Sequence, residues 1–183
     1  MLSVFLLASF VRLAQAETIA ASLTGDEEVP VVSTVASGEF RGFISRDEQS
    51  IAYDLTYSGL QGAVTTQAHI HVAQPAVNGG IVIWFCQSAS NLGPVGTPDC
   101  TNGSGHFTGT ITAASVVAIT GANAAQQIGA QQLGKVIDAI RAGNAYANVH
   151  TDPLDRRRDP RPDPCVRQAL RALIGDRKLA SRI

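Results

Sequence analysis

Gln67 to Cys86 reads QAHIHVAQPAVNGGIVIWFC, and this stretch constrains the fold more than any other part of the chain. Ala68 to Val72 has the character of a strand, Gln74 to Gly80 carries the Pro, Asn and Gly residues of a turn, and Ile81 to Phe85 is an almost wholly apolar second strand. Successive side chains of a strand point to opposite faces, so His69 and His71 share one face. Ala145 to His150 returns to strand far downstream. Three of the four histidines, His69, His71 and His150, thus sit in strand contexts that can converge.

The other segments supply the sheets such a pair needs. Ile19 to Thr24 alternates as a strand and is broken by Gly25 to Pro30; Glu39 to Ile44 and Ile51 to Tyr57 alternate around the polar turn Arg46 to Ser50, as a hairpin with one face in the core. His106 to Thr112 is a Thr-rich strand whose apolar positions are Phe107 and Ile111. Ile128, Leu133, Val136, Ile137 and Ile140 mark a helix around 124–142, ended by Gly143 and Asn144. Short strands at even spacing with one late crossover helix predict a mainly β fold, an antiparallel β-sandwich. With 183 residues and 45% hydrophobic content the chain can bury one core.

Leu2 to Val11 is an apolar run too short to span a bilayer, and Ala14-Gln15-Ala16 offers the small-x-small pattern of a signal peptidase site. Residues 1–16 therefore read as a signal peptide, although the usual basic start is nearly absent, and the expected location is secreted, periplasmic or cell-surface. No transmembrane segment is expected after cleavage. In an oxidising compartment Cys86 and Cys100, which bracket a loop rich in Gly, Pro, Ser and Asn, read as a disulfide clip rather than a redox or metal pair.

In this order and spacing, the pieces LTGDEEVPVVST, IAYDLTYSGL, AHIH with VNGGIV, the Cys86 to Cys100 loop, GTITAASVV and AIRAGNAYANVHT resemble the CHRD domain over residues 19–151. That module is named for the extracellular antagonist chordin and is widespread in secreted bacterial proteins. The resemblance implies an exported, non-catalytic domain over residues 17–155, with a binding or structural role toward an unknown protein or surface ligand. The sandwich layers expected are like those of immunoglobulin domains or Cu/Zn superoxide dismutase. Such likeness of fold carries no activity with it, and no enzyme is expected.

Family members follow NVHT with a last strand close to GEIRGQI, whereas this chain continues DPLDRRRDPRPDPCVRQALRALIGDRKLASRI. One permitted codon choice for Arg156 to Pro164 is CGC CGG CGA GAT CCG CGG CCA GAT CCG; read one base later, it encodes Ala-Gly-Glu-Ile-Arg-Gly-Gln-Ile. Residues 156–183 therefore read as the product of a frameshift. The basic charge of this tail, its Cys165 and its apparent helix from Val166 to Ile174 are then by-products. Up to residue 150 the charge balance is −5 and beyond it +4, together the −1 of the whole chain. The basic tail would otherwise suggest a nucleic acid partner; as a by-product it does not, and none is expected. A sandwich short of one strand would also leave an exposed sheet edge.

For His69 and His71 the plain expectation is one buried, hydrogen-bonded imidazole and one exposed. The sharper one is a copper or zinc site built from His69, His71 and His150, since neutral imidazole is a good ligand for both metals and a strand fixes the spacing. Asp152 would be a fourth ligand or an orienting partner. Glu27 and Glu28 read as solvated loop carboxylates, His106 as exposed and Trp84 as core. The frameshift lies in the gene or in its sequencing, and resequencing the DNA around the Arg156 codon separates the two: a one-base difference that restores the missing strand places it in the sequencing, and the frame as given places it in the gene.

Overall fold

Alternation along the chain becomes alternation of burial. In β1 (Glu17–Thr24) Ile19, Ala21 and Leu23 are buried between exposed neighbours. In β2 (Ser37–Ile44) and β3 (Ser50–Ser58) the antiparallel register sets Phe40 against Leu55 and Ile44 against Ile51, all four buried, while Arg41 and Asp54 pair on the other face. This computed structural model describes residues 16–62 and 64–152, and the backbone alone of 167–171 and 173–174. The leader up to residue 15 and Cys165 lie outside the described residues.

The remaining strands are β4 (Thr65–Val72), β5 (Gly80–Cys86), β6 (Gly105–Thr112), β7 (Ala145–Thr151), β8 (Arg167–Arg171) and the two-residue β9 (Leu173–Ile174), with one helix, α1 (Leu133–Arg141). Hydrogen bonding runs in the order β5-β4-β7-β8-β1-β2-β3-β6, and β9 adds to β1. Every pairing between these strands is antiparallel. The two ends of this path face one another as the layers of a β-sandwich. Phe85 of β5 packs its ring 5.6 Å from Phe40 of β2 and 4.7 Å from Tyr53 of β3. Burying a ring of this size from both layers is what holds them together, at about 3–5 kcal/mol for its removal.

The helix is shorter than its apolar spacing predicts. Gly121–Gln126 is a 3-10 turn, Gln127 and Gln131 have φ of 54° and 63°, and the α-helix begins only at Leu133. The cause lies in where the backbone bonds go: Ile119 N–H donates to Ile128 O and Gln131 N–H to Val116 O, so the segment is tied across to residues 116–119. From Leu133 on, Val136, Ile137 and Ile140 bury one face. Arg141 then anchors the helix end, donating to Glu17 and Glu48 at 2.8 Å each. Those two hydrogen bonds, to Glu48 first and Glu17 second, raise its pKa further above the usual arginine value.

Cys86 and Cys100 form the expected disulfide, closing the loop between β5 and β6. The expectation for the tail changes. Arg167–Arg171 is a strand rather than part of a helix, and it pairs with both β7 and β1, so the edge predicted to stay open is filled. Two neighbouring strands with unpaired backbone groups override the helical propensity of RQALR. Among the described residues no helix is long and apolar enough to cross a membrane.

Replacing Cys86 and Cys100 together by Ala is expected to lower stability by about 3 kcal/mol, since a disulfide closing a loop of this length restricts the unfolded chain. Chemical denaturation checks it, and an unchanged midpoint would contradict it. Deleting residues 156–183 is expected to lower the midpoint and increase aggregation, because β1 and β7 lose their shared partner; light scattering beside the melt reads both.

Candidate metal centre

Register, more than sequence spacing, builds the histidine cluster. Along the β4–β7 pair, Ala68 opposes Val149, Ile70 opposes Ala147 and Val72 opposes Ala145, and these six buried apolar residues form the core-facing side. The opposite side of the same ladder carries Gln67 against His150, His69 against Asn148 and His71 against Tyr146. His150 is therefore the diagonal neighbour of His69, within reach across a strand pair.

The imidazoles meet. His69 sits centrally, its ring 4.4 Å from His71 and 4.8 Å from His150, while His71 and His150 are 6.5 Å apart by centroid. One ligand nitrogen from each lies within 4.8 Å of the others. The plain expectation that one of His69 and His71 would be exposed fails: they are 0% and 9% exposed, and His150 is 7%. Residues 117–120, tied to β5 through Val117 N–H to Val82 O, and the turn at Gly79 line a cleft together with the three histidines.

Gly79 contributes more than a bend. His71 Nδ1 lies 2.8 Å from the Gly79 carbonyl oxygen; a carbonyl only accepts, so Nδ1 carries the proton and Nε2 carries the lone pair. The Gly79 N–H in turn donates to the Tyr146 hydroxyl at 3.0 Å, and the Tyr146 ring stacks on His71 with centroids 4.8 Å apart. A Cβ at position 79 would lie 2.0 Å from the Val72 carbonyl oxygen, so only glycine fits. Trp84, expected in the core, is instead half-buried and sets its ring edge-on to His69 at 5.4 Å.

Other expected residues fall elsewhere. Among the described residues Asp152 is not part of the cluster; the chain leaves β7 at Thr151, and Asp152 N–H donates to Val64 O. His106 is exposed, as expected, and pairs with Asp54 at 3.1 Å. Glu27 is exposed, but Glu28 is buried at 4% exposure, because the 3-10 turn Gly25–Glu27 turns it into a crevice shared with Tyr146 and Asn148. Glu28, Gly79 and Tyr146 lie within the pieces LTGDEEVPVVST, VNGGIV and AIRAGNAYANVHT, but nothing in those pieces gives them a role, and the pairing of β7 with β4 is what singles out Tyr146.

The chemistry of the cluster suits a transition metal. With metal–nitrogen bonds of about 2.0–2.1 Å, two ligand nitrogens of one tetrahedral ion stand about 3.4 Å apart, so a pair as wide as 4.8 Å would close by about 1.4 Å. His69, His71 and His150 would hold the ion, and an all-imidazole set accepts copper or zinc.

No curated protein and no solved structure matches the chain. The CHRD domain family model matches residues 19–154, from the third residue of β1 through β7 and ending just short of Arg156. With the antiparallel sandwich, the cross-linked β5–β6 loop and the β4–β7 ladder all within that span, the chain belongs to the CHRD domain family.

Proposed function

We propose that this chain is an exported CHRD-domain protein that binds copper or zinc through His69, His71 and His150 and catalyses no reaction. The observation that carries the metal role is the focus of three buried imidazoles, each contributing a ligand atom to a group no wider than 4.8 Å. Export is supported by the apolar leader in the sequence and by the Cys86–Cys100 disulfide, which persists in oxidising compartments. For an all-nitrogen site the usual order of affinities puts copper(II) ahead of zinc.

A second role is favoured by the ring contacts themselves. Edge-to-face and stacked packing among His69, His71, Trp84 and Tyr146 stabilises a sheet without any ion, as in a purely structural or ligand-binding module. The two differ in what the histidines do. Elemental analysis of the tag-free protein is expected to give close to one copper or zinc per chain, lost in His71→Ala and His150→Ala. Absence of metal from the unsubstituted protein after loading and dialysis would sink the metal role. The same substitutions would then register only as a stability loss of about 1–3 kcal/mol from broken buried hydrogen bonds.

A further inference from the structure

We infer that Tyr146 is a positioning residue for His71, acting through its stacked ring and through its hold on Gly79 to fix which imidazole nitrogen faces the cluster; its effect on metal affinity rests on the proposed metal role. Three observations converge on this. The Gly79 carbonyl accepts the Nδ1 proton of His71, which leaves the Nε2 lone pair as the ligand. The Gly79 N–H is held by the Tyr146 hydroxyl, so the residue that orients His71 is held at its N–H as well as at its C=O. The Tyr146 ring lies nearly parallel to His71, at 12°, and blocks rotation of the imidazole out of the ladder.

The geometry is closed because of the strand register. His71 and Tyr146 are direct cross-strand partners, and the turn after β4 folds Gly79 back over Val72 so closely that no side chain fits there. The carbonyl that orients His71 belongs to the Gly79–Gly80 peptide, whose N–H donates to Gln126 Oε1 at 2.9 Å, while the Tyr146 hydroxyl fixes the preceding Asn78–Gly79 peptide. The direction of the Gly79 carbonyl depends on both. Hydrogen bonding to the non-ligating nitrogen is the device that fixes the tautomer of metal-ligating histidines, and its loss weakens metal binding by about 10–100-fold.

The test uses Tyr146→Phe, which keeps the ring and removes the hydroxyl, and Tyr146→Leu, which removes both. In the metal-free protein, nitrogen-15 NMR of the side chains reports the tautomer of His71 directly. The unsubstituted chain is expected to hold the proton on Nδ1, Tyr146→Phe to shift part of the population to Nε2, and Tyr146→Leu to shift more. Copper(II) titration is followed by quenching of Trp84, the chain's one tryptophan, whose ring lies 5.4 Å from His69. Tyr146→Phe is expected to weaken copper binding about 10-fold, while a global melt shows it still folded. An unchanged His71 tautomer in both variants overturns the positioning role, whatever the affinity does. A shifted tautomer in a chain that binds no copper leaves the positioning role standing and overturns the metal role.

Discussion

The antiparallel ladder between β4 and β7 is the constraint on which the rest depends. Two short strands, 79 residues apart between His71 and His150, must meet in a register that sets Ala68 against Val149. A slip of one residue would turn His150 to the core and expose Val149, so burial of the apolar face enforces the placement of the polar one. The hydrophobic core thereby specifies the histidine cluster without touching it. Cross-strand pairs then bring Tyr146 over His71 by the same ladder.

How much of this the chain announced differs from residue to residue. His69 and His71 sharing a face followed from the period of two, and the core positions of β2 and β3 followed from alternation around the Arg46 to Ser50 turn. The convergence of His150 was legible only as an opportunity, because register is a property of two segments and neither contains it. Burial of Glu28 was hidden for a similar reason: a loop carboxylate looks solvated until the chain that covers it is known. The helix was overextended because apolar spacing cannot see the long-range backbone bonds of Ile119 and Gln131 that divert residues 127–131.

The tail shows how little sequence information an interior strand position demands. The family match stops at residue 154, yet β8 takes the place between β7 and β1. Ladder pairing needs N–H and C=O groups in an extended segment, and any chain without proline at those positions supplies them. A frameshifted segment can satisfy the two edges through its backbone with side chains that were never chosen for them. Strand formation by Arg167–Arg171 is therefore compatible with a misread tail, and it bears on stability more than on the origin of the residues.

Placing the cluster outside the sandwich core has an energetic consequence for any ion it holds. Phe85, Ile51, Leu55 and Ile137 are buried in the hydrophobic core, to which the apolar side of the ladder contributes. Binding then has no folding to drive, unlike in small zinc domains where the metal is the core. It has to draw the imidazoles together by up to about 1.4 Å. The affinity of such a site returns to the fold as stabilisation by mass action, growing with the logarithm of free metal. A site of this kind can gain or lose its ion while the domain stays folded.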